Sequence, residues 1–382
     1  MNSVAKKIEA VMTGRKKNDF SPLSAFLFVA SLGYGFAVKL RKKFYKKSVL
    51  KSKKLSCMVI SVGNIAVGGA GKTPMTIYIA RLIRQSGYKV AVISRGYKGS
   101  AEKSGGVVSD GHSIYMGHET AGDEPFLMAS CLKDIPVLVG QDRFKSGTTA
   151  LNKFAPDVIV LDDGFQHLQL ERDIDIVLLD HADPFGNARL LPRGILREPL
   201  SSLGRGDIFI LTRSDSVKSA SIKELEEFAP GRPVFKAFHL PYIYRVVKSG
   251  DPVSSLKTDK PISECDGKYD PEIVRGHKVV AFSGIAKNNN FYRTLEDLGC
   301  NILDFFKFSD HHFYSDKDLG TILQSAISNK AKMIVTTDKD YVKIADKIDR
   351  QIDLVVIGIK VAFEDNAAFD ALVHKKIAEY RS

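Results

Sequence analysis

Residues 61–74, SVGNIAVGGAGKTP, place glycines at 63, 68, 69 and 71 ahead of Lys72 and Thr73. Glycines let successive backbone N–H groups turn inward on anionic oxygens. A lysine then bridges the outer phosphates of a nucleoside triphosphate, and a threonine hydroxyl holds its divalent ion. Gly68, Gly69, Ala70, Gly71, Lys72 and Thr73 are therefore the candidate nucleotide-binding residues, with a nucleoside triphosphate and Mg²⁺ as the implied ligands. One residue departs from the strict spacing: Ala66 stands where the first glycine of the loop would fall, and Gly63 is too early to replace it. Further on, VIVLDD ends an apolar run in Asp162 and Asp163, either of which can supply the Walker B carboxylate beside Mg²⁺.

For these groups to converge, the loop must leave a strand and enter a helix. CMVISVGN reads as the strand and MTIYIARLIRQSG as the helix, ending at Gly87. KVAVISRG, DVIVLDD, DIVLLD and DIFILTRSD follow as short apolar strands with polar ends. Alternation of such strands with helices implies a parallel sheet covered on both faces, with ligands at the carboxyl ends of the strands. RPVFKAFHLPYIYRVV reads as two extended segments interrupted by Pro241, and the polar 250–275 stretch as a surface insertion. A second series begins with KVVAFSGIA, MIVTTDKD and LVVIGIK. The expected fold is thus an α/β, P-loop-containing parallel sheet sandwich with a second, smaller α/β domain and an N-terminal membrane-associated helix. The expected divisions are 1–54, 55–238 and 239–382.

Composition narrows the partners. The chain has 382 residues, 44% hydrophobic and 26% charged, and its net charge of +12 is carried by residues 1–54, leaving the rest balanced. A nucleic-acid enzyme would spread that charge over its catalytic body, so no nucleic-acid partner is expected. The basic segment instead flanks FSPLSAFLFVASLGYGFAV, residues 20–38, where Ser21-Pro22 is a helix cap followed by a first-turn proline. Leu23, Phe26, Leu27, Ala30, Tyr34 and Ala37 fall on one helical face. A helix lying in an anionic membrane surface fits these features; packing on the protein's own core and a true span are the alternatives. Cys57, Cys131, Cys265 and Cys300 lie too far apart for a C-x-x-C metal or redox motif and suit a reducing compartment.

The type of nucleotide user is constrained by what is missing. Partitioning ATPases carry a lysine just before the two glycines, where this chain has Val67. GTPases show Asn-Lys-x-Asp, and the nearest string, TRSD at 212–215, lacks both the Asn and the Lys.

GNIAVGGAGKTP, SRGY, GDEP, GQDR, LDDGFQH, RLLPRGILREP and DHHFYS occur in the order seen in the tetraacyldisaccharide 4′-kinase family, which the chain resembles over roughly residues 20 to 345. The resemblance implies transfer of the ATP γ-phosphate to the 4′-hydroxyl of a tetraacylated glucosamine disaccharide 1-phosphate. The product would be the lipid IVA precursor of lipid A, made by a peripheral, monomeric enzyme at the cytoplasmic face of the bacterial inner membrane. It places the catalytic carboxylate on Asp123 and its partner on His311. Glu124 and Asp163 become metal-side carboxylates, with Thr73 and Asp162. Tyr97, Arg143 and His167 match positions near the acceptor or nucleotide, and Arg189 and Arg197 are candidates for the substrate 1-phosphate or the ATP phosphates. Ile195 departs from the family's Gly-Pro-Leu-Arg-Glu-Pro, which bears on the backbone of that loop. With Asp123 and His311 in different domains, the pair is expected to meet on closure. The competing function is a membrane-attached P-loop ATPase or GTPase switch with a protein partner, which would have no use for Asp123, His311 or the arginine-rich segment.

Overall fold

Apolar runs that can be buried on both faces become the strands. The structure, a computed structural model, describes residues 8, 10–12, 21–213, 220–250, 269–347 and 351–381. Cys265, Ser214 and Asp215 of TRSD, residues 251–268 of the polar insertion and most of the first twenty residues lie outside these. In chain order, α1 (Pro22–Lys46) precedes β1 (Met58–Gly63), α2 (Lys72–Gln85) and β2 (Val90–Ser94). Next come β3 (Gly106–Ser109), α3 (His118–Ala121), α4 (Asp123–Cys131), β4 (Val137–Val139) and α5 (Arg143–Phe154). They are followed by β5 (Val158–Asp162), β6 (Ile174–Asp180), β7 (Ile208–Thr212), α6 (Ala220–Phe228) and the long β8 (Val234–Val247). The rest alternates β9 (Lys278–Ser283), α7 (Asn288–Asp297), β10 (Asn301–Lys307), α8 (Asp316–Ser328), β11 (Met333–Thr337), α9 (Asp338–Ile344), β12 (Asp353–Phe363) and α10 (Asn366–Arg381).

Contacts group the chain into two units that do not follow the expected chain-order divisions. The first comprises residues 1–92, 143–239 and 361–382, the second 93–142 and 240–360. One change of unit falls at 239/240. The segment 93–142, however, groups with the C-terminal series, because its helix α4 packs on α9. The switch from one unit to the other falls inside a single strand, β8, which runs through Pro241 where two segments were expected. Proline's fixed φ is compatible with an extended chain, and its missing N–H removes only one ladder donor.

In the first unit the strand order is β8–β7–β6–β1–β5–β2, so β1 lies between β5 and β6. Both of those pairings are parallel, with Val62 opposite Asp162 on one side and Ile176 on the other. Every residue of β1 and β5 is buried. Ile65, Phe165, Phe185, Leu203 and Phe209 form part of the core beneath the strand ends. In the second unit β10–β9–β11–β12 are neighbours in parallel pairings, and β3–β4 form an antiparallel pair. Phe291, Leu295, Val279, Val335 and Val355 share its core.

Helix α1 begins as expected, with the Ser21 hydroxyl accepting the Ser24 N–H at 3.2 Å. Its inward face is formed mostly by small residues. Ser24, Leu27, Ser31 and Gly35 face inward, while Phe26, Val29, Leu32 and Phe36 are 69, 66, 58 and 69% exposed. Small residues allow the closer approach: a Cβ on Gly35 would lie 2.8 Å from Leu190. The bulky apolar face is left outward, and the helix is long and apolar enough to cross a membrane.

The end of β1 offers a direct test of this packing. A Cβ at Gly63 would lie 2.6 Å from Phe165 Cβ and 2.8 Å from its backbone nitrogen. Gly63→Ala should therefore cost about 1–3 kcal/mol and lower the melting temperature by several degrees. A melting curve superimposable on that of the unsubstituted protein would contradict this close approach.

Candidate functional site

The phosphate loop emerges from β1 and is held open by pairing with the arginine-rich loop. The Val67 N–H donates to Ile195 O at 2.8 Å, and the Arg197 N–H donates to Ile65 O at 2.7 Å. Ala66 forms an antiparallel bridge with Leu196. Ala66, which departs from the strict loop spacing, and Ile195, which departs from the family pattern, thus lie in one short extended pairing. Gly68 and Gly71 take φ of 119° and 81°, a region that side chains disfavour. Gly71 starts α2 with no side-chain cap, so the first-turn N–H groups of a 14-residue helix are left for an anion. His239 stands against this turn, where a Cβ on Gly71 would lie 2.5 Å from its Nε2.

Two cations and two carboxylates gather beside the loop. The Lys72 ammonium lies 3.5 Å from Asn64 Oδ1 and 3.8 Å from Asp163 Oδ1. Arg197 Nη1 donates to both Asp163 oxygens at 3.0 and 2.8 Å. Asp163 follows the end of β5 with φ 52°, a left-handed conformation that aspartate tolerates better than most residues. Asp162, only 2% exposed, accepts from Thr76 Oγ1 at 3.2 Å. The two candidate aspartates are therefore distinct: Asp163 faces the lysine and arginine, and Asp162 is tied to α2. Together with the buried Thr73 they suit Mg²⁺, which binds through one or two carboxylates and keeps waters and phosphate oxygens. Consistent with so sparse a set, no group of three His, Cys, Asp or Glu is assembled for a metal among the described residues.

The arginine-rich loop is fastened from behind. Tyr34 Oη on α1 donates to Arg197 O at 2.9 Å, and Lys42 Nζ donates to Ser202 Oγ at 2.9 Å. Arg205 grips both oxygens of Glu198 at 2.9 and 3.0 Å. Burial alone would raise the Glu198 carboxyl, but the Arg205 hydrogen bonds and charge outweigh it and hold the group below its ordinary range. Arg189 is exposed and lies over the Phe28 ring of α1, 5.5 Å from its centroid. Arg143, by contrast, is 4% exposed at the start of α5, which excludes a surface salt bridge. His167 is half-buried, with its backbone oxygen accepting from Arg172 Nη1 at 2.9 Å.

The second unit holds the other candidates. His311 Nδ1 lies 3.0 Å from Asp123 Oδ2, and the two side chains are 19 and 17% exposed. An ionised carboxylate can only accept, so Nδ1 carries the proton and donates it to Asp123. Because 93–142 and 240–360 belong to one unit, this contact is made within it, and the expectation of a meeting only on domain closure does not apply. Asp123 opens α4 after Gly122, and His311 sits at φ 57° with its N–H donating to Gly284 O at 3.2 Å. Tyr97, 51% exposed, sets its ring edge-on to His311 at 5.6 Å. Glu124 Oε1 is paired with Lys339 Nζ at 2.5 Å. Burial opposes the charge on Lys339, but the Glu124 carboxylate outweighs it and keeps the ammonium above its ordinary range. His312 plays a different part, stacking on Phe308 at 4.5 Å and reaching Asp318 at 3.2 Å beside the capping box of α8.

Sequence reasoning passed over three residues that the structure brings to these places. Arg213, in the TRSD string, holds Asp180 Oδ2 at 2.6 Å and donates to the Gly69 carbonyl of the phosphate loop. Its signal was its position just past the carboxyl end of β7. Lys339 and Asp340 follow β11 in MIVTTDKD in the same way.

A family model described as tetraacyldisaccharide-1-P 4′-kinase matches residues 23–378. The tetraacyldisaccharide 4′-kinase of Desulfatibacillum aliphaticivorans is 39% identical over 382 residues, covering 99% of both chains. That of Syntrophus aciditrophicus is 40% identical over 367 residues, covering 94% of each. A crystal structure of the "apo" form of LpxK from Aquifex aeolicus in complex with ATP aligns with a TM-score of 0.69 at 33% identity, covering 93% of this chain and 99% of that one.

The Glu198–Arg205 pair supplies a stability prediction. Glu198→Gln should cost about 2 kcal/mol at neutral pH, since it weakens charged hydrogen bonds at a buried site. The folded-state pKa is depressed, so the contribution of the carboxylate is complete above the ordinary glutamate value and is lost as pH falls through the folded-state value. Denaturant melts of the two proteins should therefore differ at pH 7 and converge in acid. A gap that widens below pH 4 would contradict the assignment.

Proposed function

The chain belongs to the tetraacyldisaccharide 4′-kinase family, and on that premise we propose how its residues divide the work of the reaction. It is an ATP- and Mg²⁺-dependent kinase that phosphorylates the 4′-hydroxyl of a tetraacylated glucosamine disaccharide 1-phosphate, giving lipid IVA in lipid A biosynthesis. Asp123 is the base that takes the hydroxyl proton as the sugar oxygen attacks the γ-phosphorus and the bond to the β-phosphate oxygen breaks. His311 orients that carboxylate through its Nδ1–H. The single observation carrying this reading is the 3.0 Å contact between them, a hydrogen-bonded pair of acid–base groups with little solvent access.

Lys72 and the N–H groups around Gly71 receive the triphosphate, and Thr73, Asp162 and Asp163 would hold Mg²⁺, which when bound neutralises phosphate charge. Arg197 aims Asp163 through two hydrogen bonds. Arg143 and His167 support the nucleotide side from within the fold. Arg189, exposed beside Phe28, is suited to the substrate 1-phosphate, and the exposed face of Tyr97 to a sugar ring. The outward apolar face of α1, followed by Lys39, Arg41, Lys42, Lys43 and Lys46, lays the helix in an anionic bilayer surface. ATP supply places that surface on the cytoplasmic side. A switch that only hydrolyses ATP has no use for the Asp123–His311 pair.

Incubation with ATP labelled at the γ-phosphate and the acylated disaccharide in detergent should move label into the lipid spot on a thin-layer plate. Label found only as free phosphate would favour the switch. Lys72→Ala should abolish this transfer while the far-ultraviolet spectrum stays unchanged, because the lysine neutralises the transferring group and is no core residue. Wild-type turnover in that variant would overturn the loop assignment.

For the membrane surface, the double substitution Phe26→Glu and Phe36→Glu should reduce co-sedimentation with anionic vesicles by about 100-fold or more, each ring contributing about 1.5–3 kcal/mol. Vesicle binding by the parent protein should also weaken in high salt. Retention that resists both salt and alkali would instead indicate a helix that spans the bilayer.

A further inference from the structure

The first turn of α9, in the string TTDKD, makes contacts that the reaction as described leaves unused. Asp340 is fully buried. Its Oδ2 accepts the Gly284 N–H at 2.9 Å and the Thr337 hydroxyl at 2.8 Å, and its Oδ1 accepts Lys343 Nζ at 2.8 Å. A buried carboxylate with three donors is fixed in place. The peptide it fixes is Gly284, whose carbonyl accepts the N–H of His311. No side chain could replace that glycine without moving something, because a Cβ there would sit 3.0 Å from Tyr314 Oη and 3.1 Å from Asp340 Oδ1. One residue earlier on the same turn, Lys339 reaches the opposite way and grips Glu124, the neighbour of Asp123 in the first turn of α4.

We propose that Lys339 and Asp340 are positioning residues for the proton-accepting pair: Lys339 sets the turn that carries Asp123, and Asp340, through Gly284, sets the backbone of His311. This rests on the reading of Asp123 and His311 given above. One short helix turn thereby fixes both partners of a contact between residues 188 positions apart in sequence. The left-handed backbone of His311 is what such a tether would hold against relaxation. Asparagine at 340 keeps the size but replaces an acceptor with an NH₂ group. Every partner of that carboxylate is a donor, so one contact must be lost and the Gly284 peptide can shift.

The test uses the full chain and steady-state transfer of labelled γ-phosphate, with thermal melts as the control for folding. Lys339→Met and Asp340→Asn should each lower kcat by about 10- to 100-fold, the scale of a misplacement of about 1 Å, with the KM for ATP changed less than about twofold. Lys339→Arg should recover most of the loss. In an Asp123→Ala background, Lys339→Met should add less than about twofold, since it acts through a group no longer present. Should Asp340→Asn fail to fold, Lys339→Met, whose side chain is partly exposed, carries the test alone. Wild-type kcat in Lys339→Met while Asp123→Ala is inactive would overturn this proposal and leave the base assignment standing, as would losses that multiply in full with Asp123→Ala. Wild-type kcat in Asp123→Ala itself would remove both.

Discussion

A sugar hydroxyl holds its proton tightly at neutral pH, and that proton must have a destination as the new P–O bond forms. In the proposed reaction Asp123, in the second unit, is the carboxylate that receives it. Asp123 stands at the start of a helix, where a negative charge is favoured by the backbone dipole. His311 holds one of its oxygens by a hydrogen bond at 3.0 Å. Neither residue could do this from its own segment alone. The unit is assembled from two stretches of chain far apart in sequence, and the pair lies where they meet.

The first unit solves a different electrostatic problem. A triphosphate with Mg²⁺ needs both cations and carboxylates in one place, and each carboxylate must stay ionised. Asp163 is flanked there by Arg197 and Lys72. Arg197 in turn has its backbone clamped between Ile65 of the phosphate loop and Tyr34 of α1. The arginine-rich loop is therefore a shared support of the phosphate loop and α1. On the proposed reading of α1 as a surface-bound helix, the segment that would meet the lipid also braces the phosphate loop.

Local chemistry was legible in the sequence, and long-range chemistry was not. The glycines, Lys72 and Thr73 announced a phosphate loop because the loop needs them at fixed spacing, and Ser21-Pro22 announced the start of α1 because a cap is a matter of neighbouring residues. Asp163 could be located at a strand end but not told from Asp162 until Arg197 was seen beside it. Asp123 and His311 emerged only through resemblance to a family, since nothing in GDEP or DHHFYS by itself says that they touch. Lys339 and Arg213 were passed over for the same reason, their partners being remote, and Asp340 because its tie to Gly284 is. The inward face of α1 was not legible because small residues do not announce a packing face, yet Ser24, Ser31 and Gly35 pack inward while Phe26 and Phe36 are exposed. Ala66 and Ile195, which looked like departures from pattern, became intelligible once their segments were seen to pair.

The central claim is that Asp123 and His311 act as one unit on the acceptor proton, and a double-mutant cycle in kcat tests it most directly. General-base assistance contributes about 10²- to 10⁴-fold, so Asp123→Ala and His311→Ala should each fall in that range at saturating ATP with nucleotide affinity little changed. The double variant should be scarcely worse than the poorer single one, because residues that act together fail together. Full activity in Asp123→Ala, or losses that multiply in the double variant, would contradict the account.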